Sequence, residues 1–352
     1  METTTLIPHS RPYLGQKEIT AVSEVIESQE VGQGFRVTRF EQSMADYLGL
    51  LGGVAVSSGT AALHMALLAL GVSAGNEVVM PSYVCAAPWI ATAHIGAIPK
   101  IVDIDPRTFG IDVEQVKAAI TGKTRAIIVP HLFGCSADLA PLQLLNIPII
   151  EDCAQTLGAM YHGQPVGSFG QATICSFYAT KLLCTGEGGM VLSNNARMVE
   201  TLRMLREYDE KQFLYPKSFN YKMTDLQAAL GLCQLERFPD SLMRRATIAH
   251  RYLSELAHLP VELPSIPQDR THIFYRFVLK ISRPIDESIQ RLEGKGIQCR
   301  RPVFQPLHRY LGLRGFPHSE HVFSTALSIP IHPSLTDEDV DRIITILQEE
   351  LT

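Results

Sequence analysis

The chain has 352 residues, of which 46% are hydrophobic and 19% are charged, and its formal net charge at pH 7 is -5. This length and composition allow a large buried core, which excludes an intrinsically disordered protein. The slightly acidic balance contains no run of like charges that would form a surface for nucleic acid, and no apolar run is long enough to span a bilayer. We therefore expect a soluble protein that acts on small molecules.

Seven cysteines are scattered along the sequence, mostly inside apolar stretches. Their number is odd, and they form neither a CxxC pair nor a metal-ligand spacing, so we expect free thiols in a reducing cytoplasm and no metal site. The segment 1–11 lacks the basic and apolar parts of a secretion signal.

The first predicted elements are two amphipathic helices, 16–28 and 37–47, which we expect to pack across the large domain or a partner subunit. From 54 to 193, short apolar runs then alternate with helical patterns such as 60–70. This alternation predicts a mostly parallel sheet covered by helices on both faces. The predicted strands are 54–57, 77–80, 99–102, 126–130, 148–151, 173–176 and 190–193.

After residue 220 the pattern changes. The spacing of apolar residues predicts long helices over 224–236 and 242–257, a strand over 272–281 and a helix over 285–295. We therefore expect a large domain over 1–239, which includes the N-terminal helices, and a smaller C-terminal α+β domain over 240–352.

Two charged residues follow strand-like apolar runs. Asp152 comes directly after the predicted strand 148–151, and Lys181 follows the strand 173–176 just before the glycine-rich turn 185–189. This pattern suits an enzyme that uses pyridoxal phosphate (PLP), because the lysine amine can form an imine with the cofactor aldehyde while the acid keeps the pyridine nitrogen protonated. The alternatives are a capping carboxylate and a solvated surface lysine.

Small polar residues near these strand ends fit the same cofactor. The turn 57–60 ends a strand and begins a helix, so its free N–H groups can bind an anion, although Ser58 or Thr60 can equally be a simple N-cap. Ser176 can bond the cofactor phosphate. Gln155, three residues after Asp152, can hydrogen-bond the phenolic oxygen of the cofactor.

With these motifs the chain resembles the PLP-dependent nucleotide-sugar aminotransferases of the DegT and StrS type, nearly from end to end. The resemblance implies the aspartate aminotransferase fold, fold type I, an α/β fold with a mostly parallel central sheet flanked by helices and a smaller C-terminal domain. The motifs that carry it lie at 12–15, 40–41, 58–63, 96–97, 102–105, 151–155, 176–178, 181, 186–189, 220–223 and 227–231.

The resemblance assigns roles to individual residues. It implies that Lys181 is the Schiff-base lysine, Asp152 the partner of the pyridine nitrogen and Gln155 the contact to the phenolic oxygen. The phosphate would be held by Gly59, Thr60 and Ser176, together with Asn220 from a neighbouring subunit. That last contact implies a homodimer with two shared active sites.

Some positions depart from the family pattern. Cys85 stands where relatives often carry an aromatic residue stacked on the PLP ring. Tyr83 or Trp89 can take that role instead, although a core position is the favoured interpretation of Trp89.

Three further residues are candidates for substrate contacts. His131 ends the predicted strand 126–130, but it can equally be a histidine satisfied by the backbone. Arg301 and His308 lie where relatives have a motif ending in Pro-Leu-His near the substrate. Arg301, with its neighbour Arg300, can pair with a diphosphate or belong to a solvated basic edge.

These features predict a PLP-dependent aminotransferase. By family habit, it moves an amino group from glutamate to a nucleotide-linked keto-sugar in two half-reactions with ping-pong kinetics. The same cofactor residues would serve an aminotransferase for a cyclitol or another ketone, or a PLP lyase. An alternative of a different class is a non-catalytic, PLP-binding regulatory protein.

Overall fold

The computed structural model describes residues 6–209 and 218–352. The helices in this part of the chain are α1 (Gln16–Ser28), α2 (Phe35–Leu48), α3 (Gly59–Ala69), α4 (Ala87–His94), α5 (Val113–Ala119), α6 (Ala140–Gln143), α7 (Ala196–Arg206), α8 (Asp225–Glu236), α9 (Phe238–Glu255), α10 (Ile285–Gly294), α11 (Leu307–Tyr310), α12 (Pro317–Thr325) and α13 (Asp337–Leu351). The strands are β1 (Gly52–Val56), β2 (Glu77–Pro81), β3 (Ile98–Val102), β4 (Thr124–Pro130), β5 (Ile149–Asp152), β6 (Met160–Tyr161), β7 (Gln164–Pro165), β8 (Ala172–Ser176), β9 (Gly189–Ser193), β10 (Phe277–Lys280) and β11 (Ala326–Ile329).

Seven strands form one sheet in the order β1-β9-β8-β5-β4-β2-β3. The pairs from β8 across to β3 are parallel, and β9 is antiparallel to both of its neighbours. Helices cover both faces of this sheet, so alternate residues of one strand enter different cores: Val54 and Val56 join one apolar cluster, and Ala55 joins another. The carboxyl ends of the parallel strands meet at one edge, where open α/β sheets bind their ligands.

The N-terminal helices α1 and α2 pack against α8 of the same chain. The Glu18 carboxylate of α1 accepts a hydrogen bond from the Gln234 amide at 2.7 Å. The Asp225 carboxylate, at the start of α8, accepts the N–H groups of Gly34 and Val37 at 2.9 Å each, and so caps α2. The large-domain packing expected for these helices is therefore present.

The C-terminal region has a core of its own. The strands β10 and β11 pair antiparallel, and their apolar side chains cluster with those of α9, α10 and α13. Ile7, from the N-terminal segment, joins the same cluster. The predicted strand 272–281 is wrong in its first half: only Phe277–Lys280 is a strand, because Phe274 has a φ of 52°, which is incompatible with extended backbone.

None of the described helices is both long and apolar enough to cross a membrane.

Candidate active site

A small cradle lies where the strands β1 and β8 end. The hydroxyl of Ser58 accepts the N–H of Ala61 at 3.1 Å and so caps α3. A Cβ atom on Gly59 would lie 2.9 Å from the Cβ of Ser176, so only glycine lets the helix start approach the end of β8 this closely. The first N–H groups of a helix have no partner within it, and here they lie beside the Ser176 hydroxyl. Such a cradle binds phosphate.

Asp152 ends β5 and is 8% exposed. Its Oδ1 accepts the N–H of Ala154 at 3.1 Å. Burial raises the pKa of the Asp152 carboxyl, although the hydrogen bond from Ala154 and the positive charge of Lys181 oppose this rise. A carboxylate buried in this way is stabilised by a cationic partner, such as a protonated pyridine nitrogen.

Lys181 follows β8 in a half-buried turn, where its N–H donates to the Tyr178 carbonyl at 2.8 Å. Its Nζ lies 5.5 Å from the centre of the Tyr275 ring, and its charge affects both Asp152 and Cys85. The structure therefore brings the two principal predicted residues, Lys181 and Asp152, into one cleft.

Tyr275 is a neighbour of Lys181 that the sequence did not single out. Burial acts to raise the pKa of its phenol, but the charges of Lys181 and Arg276 and a hydrogen bond from the Thr180 side chain lower it to about 8. The Arg276 guanidinium lies 5.0 Å from the centre of the same ring. In the sequence, the available signal for Tyr275 is a tyrosine next to an arginine inside an apolar stretch, and this signal is weak.

Cys85 is exposed, unlike the other six cysteines. Its thiol is enclosed by the walls of the cleft, which raises its pKa, and the negative charge of Asp152 acts in the same direction. Tyr83 is fully buried and stacks on Phe109, so it cannot reach a cofactor ring. Trp89 stacks on Tyr310 instead. Of the three candidates for the ring contact, Cys85 has the most suitable position.

Gln155 and Asn220 retain donors that a ligand can use. The Oε1 of Gln155 accepts the N–H of Phe133 at 3.0 Å, and its Nε2 makes no hydrogen bond within the described part of the chain. Asn220 is exposed. The carbonyl of the adjacent Tyr221 accepts a hydrogen bond at 2.8 Å from the N–H of Ser57, so Asn220 lies beside the end of β1.

His131 does not face the cleft. Its side chain is fully buried, its Nε2 lies 3.1 Å from the Glu151 carboxylate, and its Nδ1 accepts the N–H of Ala137 at 3.0 Å. The alternative of a histidine satisfied by its neighbours fits this geometry, and substrate contact does not. Cys153 lies close to the same pair, but the nitrogens of His131 and the oxygens of Glu151 are already hydrogen-bonded and are not free to bind a metal.

Arg301 and His308 are also engaged within the protein. The Arg301 guanidinium bonds both oxygens of the Asp286 carboxylate and the Phe323 carbonyl. His308 is buried. Its Nδ1 lies 2.6 Å from the Ser82 hydroxyl oxygen, and its Nε2 lies 2.6 Å from the Glu320 carboxylate. In this geometry His308 joins the loop after β2 to the C-terminal region and is not available to a substrate.

The remaining predicted residues fit PLP well. A phosphate fits the cradle that the Gly59 backbone and Ser176 form, the buried Asp152 carboxylate suits the ring nitrogen, and the Gln155 amide can donate to the phenolic oxygen. Lys181 can supply the amine that forms the imine. These groups come from the ends of different strands at one edge of the sheet.

Comparison with known proteins agrees with this geometry. Residues 12–348 match the model of the DegT/DnrJ/EryC1/StrS aminotransferase family. The chain is 34% identical to GDP-perosamine synthase of Caulobacter vibrioides, and the alignment covers 97% of each protein. It is also 34% identical to the spore coat polysaccharide biosynthesis protein SpsC of Bacillus subtilis, over 97% of this chain and 96% of that protein.

Solved structures show the same fold. The putative sugar aminotransferase Spr1654 of Streptococcus pneumoniae in its PLP form matches with a TM-score of 0.93 and 29% identity, covering 99% of this chain and 100% of that one. The aminotransferase TlmJ of Streptoalloteichus hindustanus matches with a TM-score of 0.93 and 29% identity, covering 98% and 99%. The chain therefore belongs to the DegT/DnrJ/EryC1/StrS aminotransferase family and is a PLP-dependent sugar aminotransferase.

Proposed function

We propose that the enzyme takes its amino group from glutamate and delivers it to a nucleotide-linked keto-sugar, in two half-reactions with ping-pong kinetics. The observation that carries this proposal is the meeting of Lys181 and Asp152 beside the cradle at Gly59, in a chain of a sugar aminotransferase family. The name of one relative, GDP-perosamine synthase, specifies a product linked to a nucleoside diphosphate.

Each residue of the cleft has a defined task in this proposal. Bound PLP would act as the electron sink when the substrate loses its α-proton. Asp152 would keep the ring nitrogen protonated, and the cradle at Gly59, Thr60 and Ser176 would fix the phosphate. The Nζ of Lys181 would take the proton from the substrate carbon as base and return it as acid, because it is an amine in the cleft whose charge acts on Asp152.

The positive charges of Lys181 and Arg276 both act on the Tyr275 phenol beside the cleft and lower its pKa to about 8. The Cys85 side chain would contact the ring in place of an aromatic residue and leave more room above it.

The proposal also includes the assembly and the setting of the enzyme. Asn220 is exposed beside the end of β1, which supports a role in the site of a partner in a homodimer. The separate apolar core beyond residue 240 supports the division into domains 1–239 and 240–352. Seven free cysteines support a cytoplasmic location, because thiols stay reduced there.

Two-substrate kinetics test this proposal. Initial rates measured at several concentrations of glutamate and of a GDP-linked keto-sugar should give parallel double-reciprocal lines, and nitrogen-15 from glutamate should appear in the sugar product. The same keto-sugar without its nucleotide serves as the control and should react much more slowly. Intersecting lines, or equal rates with the free sugar, would contradict the proposal.

A further inference from the structure

A small cavity lies behind the lysine-bearing turn and is separate from the phosphate cradle. It is bounded by the N-terminal segment, the helix α9, the turn before β10 and the segment after β11. The charged and imidazole side chains in its wall are those of His9, Arg11, Arg245, Arg276 and His332. Gly59 and Ser176 are not part of its wall, so the cavity is not the site expected for the cofactor phosphate.

Three arginines line this wall. Arg11 is exposed, whereas Arg245 is buried and Arg276 is half-buried, and these two have no acidic partner in the described part of the chain. Arg245 is 6% exposed, and its Nη1 donates to the carbonyls of Phe274, Tyr275 and Ile331 at 3.3, 3.2 and 2.6 Å. The Arg276 guanidinium hydrogen-bonds the His9 ring and the Ser10 hydroxyl, and it lies 5.0 Å from the centre of the Tyr275 ring. Within residues 6–209 and 218–352, no carboxylate lies within 4 Å of either guanidinium.

The imidazoles in the wall do not balance this charge. Burial, followed by the charge of Arg276, lowers the pKa of His9 to about 2, and burial lowers the pKa of His332 to about 4. Both rings are therefore neutral near pH 7. Asp339 is close enough to act on His332, but it makes no ion pair with either arginine in the described part of the chain.

Two buried polar atoms in the wall also lack partners. These are the Nε of Arg245 and the Nδ1 of His332. Buried polar atoms normally have a hydrogen-bond partner, and an uncompensated buried charge is costly. A water molecule at the Nε of Arg245 would supply a hydrogen-bond partner, but it would leave both guanidinium charges unbalanced.

We infer that this cavity binds one small monovalent anion, a halide ion or a single carboxylate group, between Arg245 and Arg276. The cavity volume open to the centre of a water molecule is about 10 Å³. This volume has room for one small group and is too small for a sugar or a nucleotide. An anion there accepts the free N–H of Arg245 and offsets the charge of Arg276. The inference does not depend on the substrate proposed above.

Thermal unfolding of the full-length holoenzyme tests the inference. Sodium chloride and sodium acetate are titrated separately at fixed pH and ionic strength, with a bulky sulfonate salt as the balancing electrolyte. A bound anion stabilises the folded state by mass action, so the midpoint should rise and saturate with chloride or acetate. The response to each salt distinguishes a free halide from a carboxylate group as the natural occupant.

Variants locate the effect in the cavity. Arg276→Gln should need at least about tenfold more anion for the same rise, because it loses one charge-assisted hydrogen bond. Arg276→Lys should retain part of the response. Arg125→Gln is the matched control, since Arg125 is exposed and, among residues 6–209 and 218–352, bonds only nearby carbonyls.

Two results would overturn the inference. One is a wild-type midpoint that rises no further with chloride or acetate than with the sulfonate salt, as expected for a cavity that holds water alone. The other is an unchanged anion response in Arg276→Gln.

Discussion

Gly59→Ala tests the cradle directly. The new Cβ would lie 2.9 Å from the Cβ and 3.1 Å from the hydroxyl oxygen of Ser176, whereas carbon atoms in ordinary contact are about 3.5–4.0 Å apart. The start of α3 must therefore move away from the end of β8 by several tenths of an ångström. We expect this movement to disturb the binding of phosphate more than the fold.

The two effects differ in size. Overpacking of this kind costs about 1–3 kcal/mol, and alanine regains up to about 1 kcal/mol as a better helix former, so the protein should remain folded. A lost or lengthened hydrogen bond to a charged group costs about 1.5–3 kcal/mol. PLP should therefore bind about 10- to 100-fold more weakly to the variant.

The assay is a titration of apoprotein with PLP, followed through the visible absorption band, with thermal unfolding to confirm the fold. Gly52→Ala is the matched control, because its Cβ would meet the Val199 side chain at an ordinary 3.5 Å. Affinity of Gly59→Ala within twofold of the wild type would refute the assignment of this turn as the phosphate cradle.

Three further variants test the surroundings of the cleft. Asp152→Asn should keep the fold but slow the half-reaction with glutamate about 100-fold or more, since breaking a buried charge pair costs about 3–5 kcal/mol. Stopped-flow absorbance measures the rate of this half-reaction. A rate reduced less than fivefold would contradict the prediction. Glu151→Gln should lower the free energy of unfolding by about 3 kcal/mol, because the Glu151 carboxylate accepts the N–H groups of Gly167, Phe169 and Gly170 at 2.8, 2.7 and 2.6 Å. Urea unfolding measures this free energy, and a decrease of less than about 1 kcal/mol would argue against the prediction. Burial lowers the pKa of His332 from 6.5 to about 4. Between these two pH values the unfolded chain binds more protons at this residue than the folded chain does. The free energy of unfolding should therefore fall by about 1.4 kcal/mol for each pH unit as the pH drops through this window. His332→Asn should reduce that slope in urea titrations at pH 6.5 and 5 with a fixed anion concentration, and an unchanged slope would show that another group is responsible.

The central sheet could be predicted from the sequence because its strands are buried on both faces. Such strands are continuous apolar runs, and all seven predicted strands lie within two residues of the observed ones, as in 126–130 against Thr124–Pro130. Two-residue strands such as Met160–Tyr161 carry no such signal. The predicted helix start at 242 was late, because α9 begins at Phe238 with a proline in its first turn, where proline is tolerated.

The site could be predicted in part for a related reason. Lys181 and Asp152 each follow a strand, and parallel strands end at one edge of the sheet, so sequence position implied their proximity. The contact between Lys181 and Tyr275 joins segments far apart in the chain, and no local pattern reveals it. Whether His131 and His308 face the cleft depended on side-chain partners, Glu151 and Glu320, that spacing alone does not identify.

The most direct test of the central claim compares absorption spectra of the wild type and Lys181→Ala, each saturated with PLP, before and after glutamate is added. In the wild type we expect the visible band to give way to a near-ultraviolet band of the aminated cofactor. Lys181→Ala should fold and bind PLP but convert it at least about 100-fold more slowly, the range expected for loss of a general base. Lys117→Ala, which removes an exposed lysine of α5, should match the wild type. Conversion by Lys181→Ala at the wild-type rate would contradict the account.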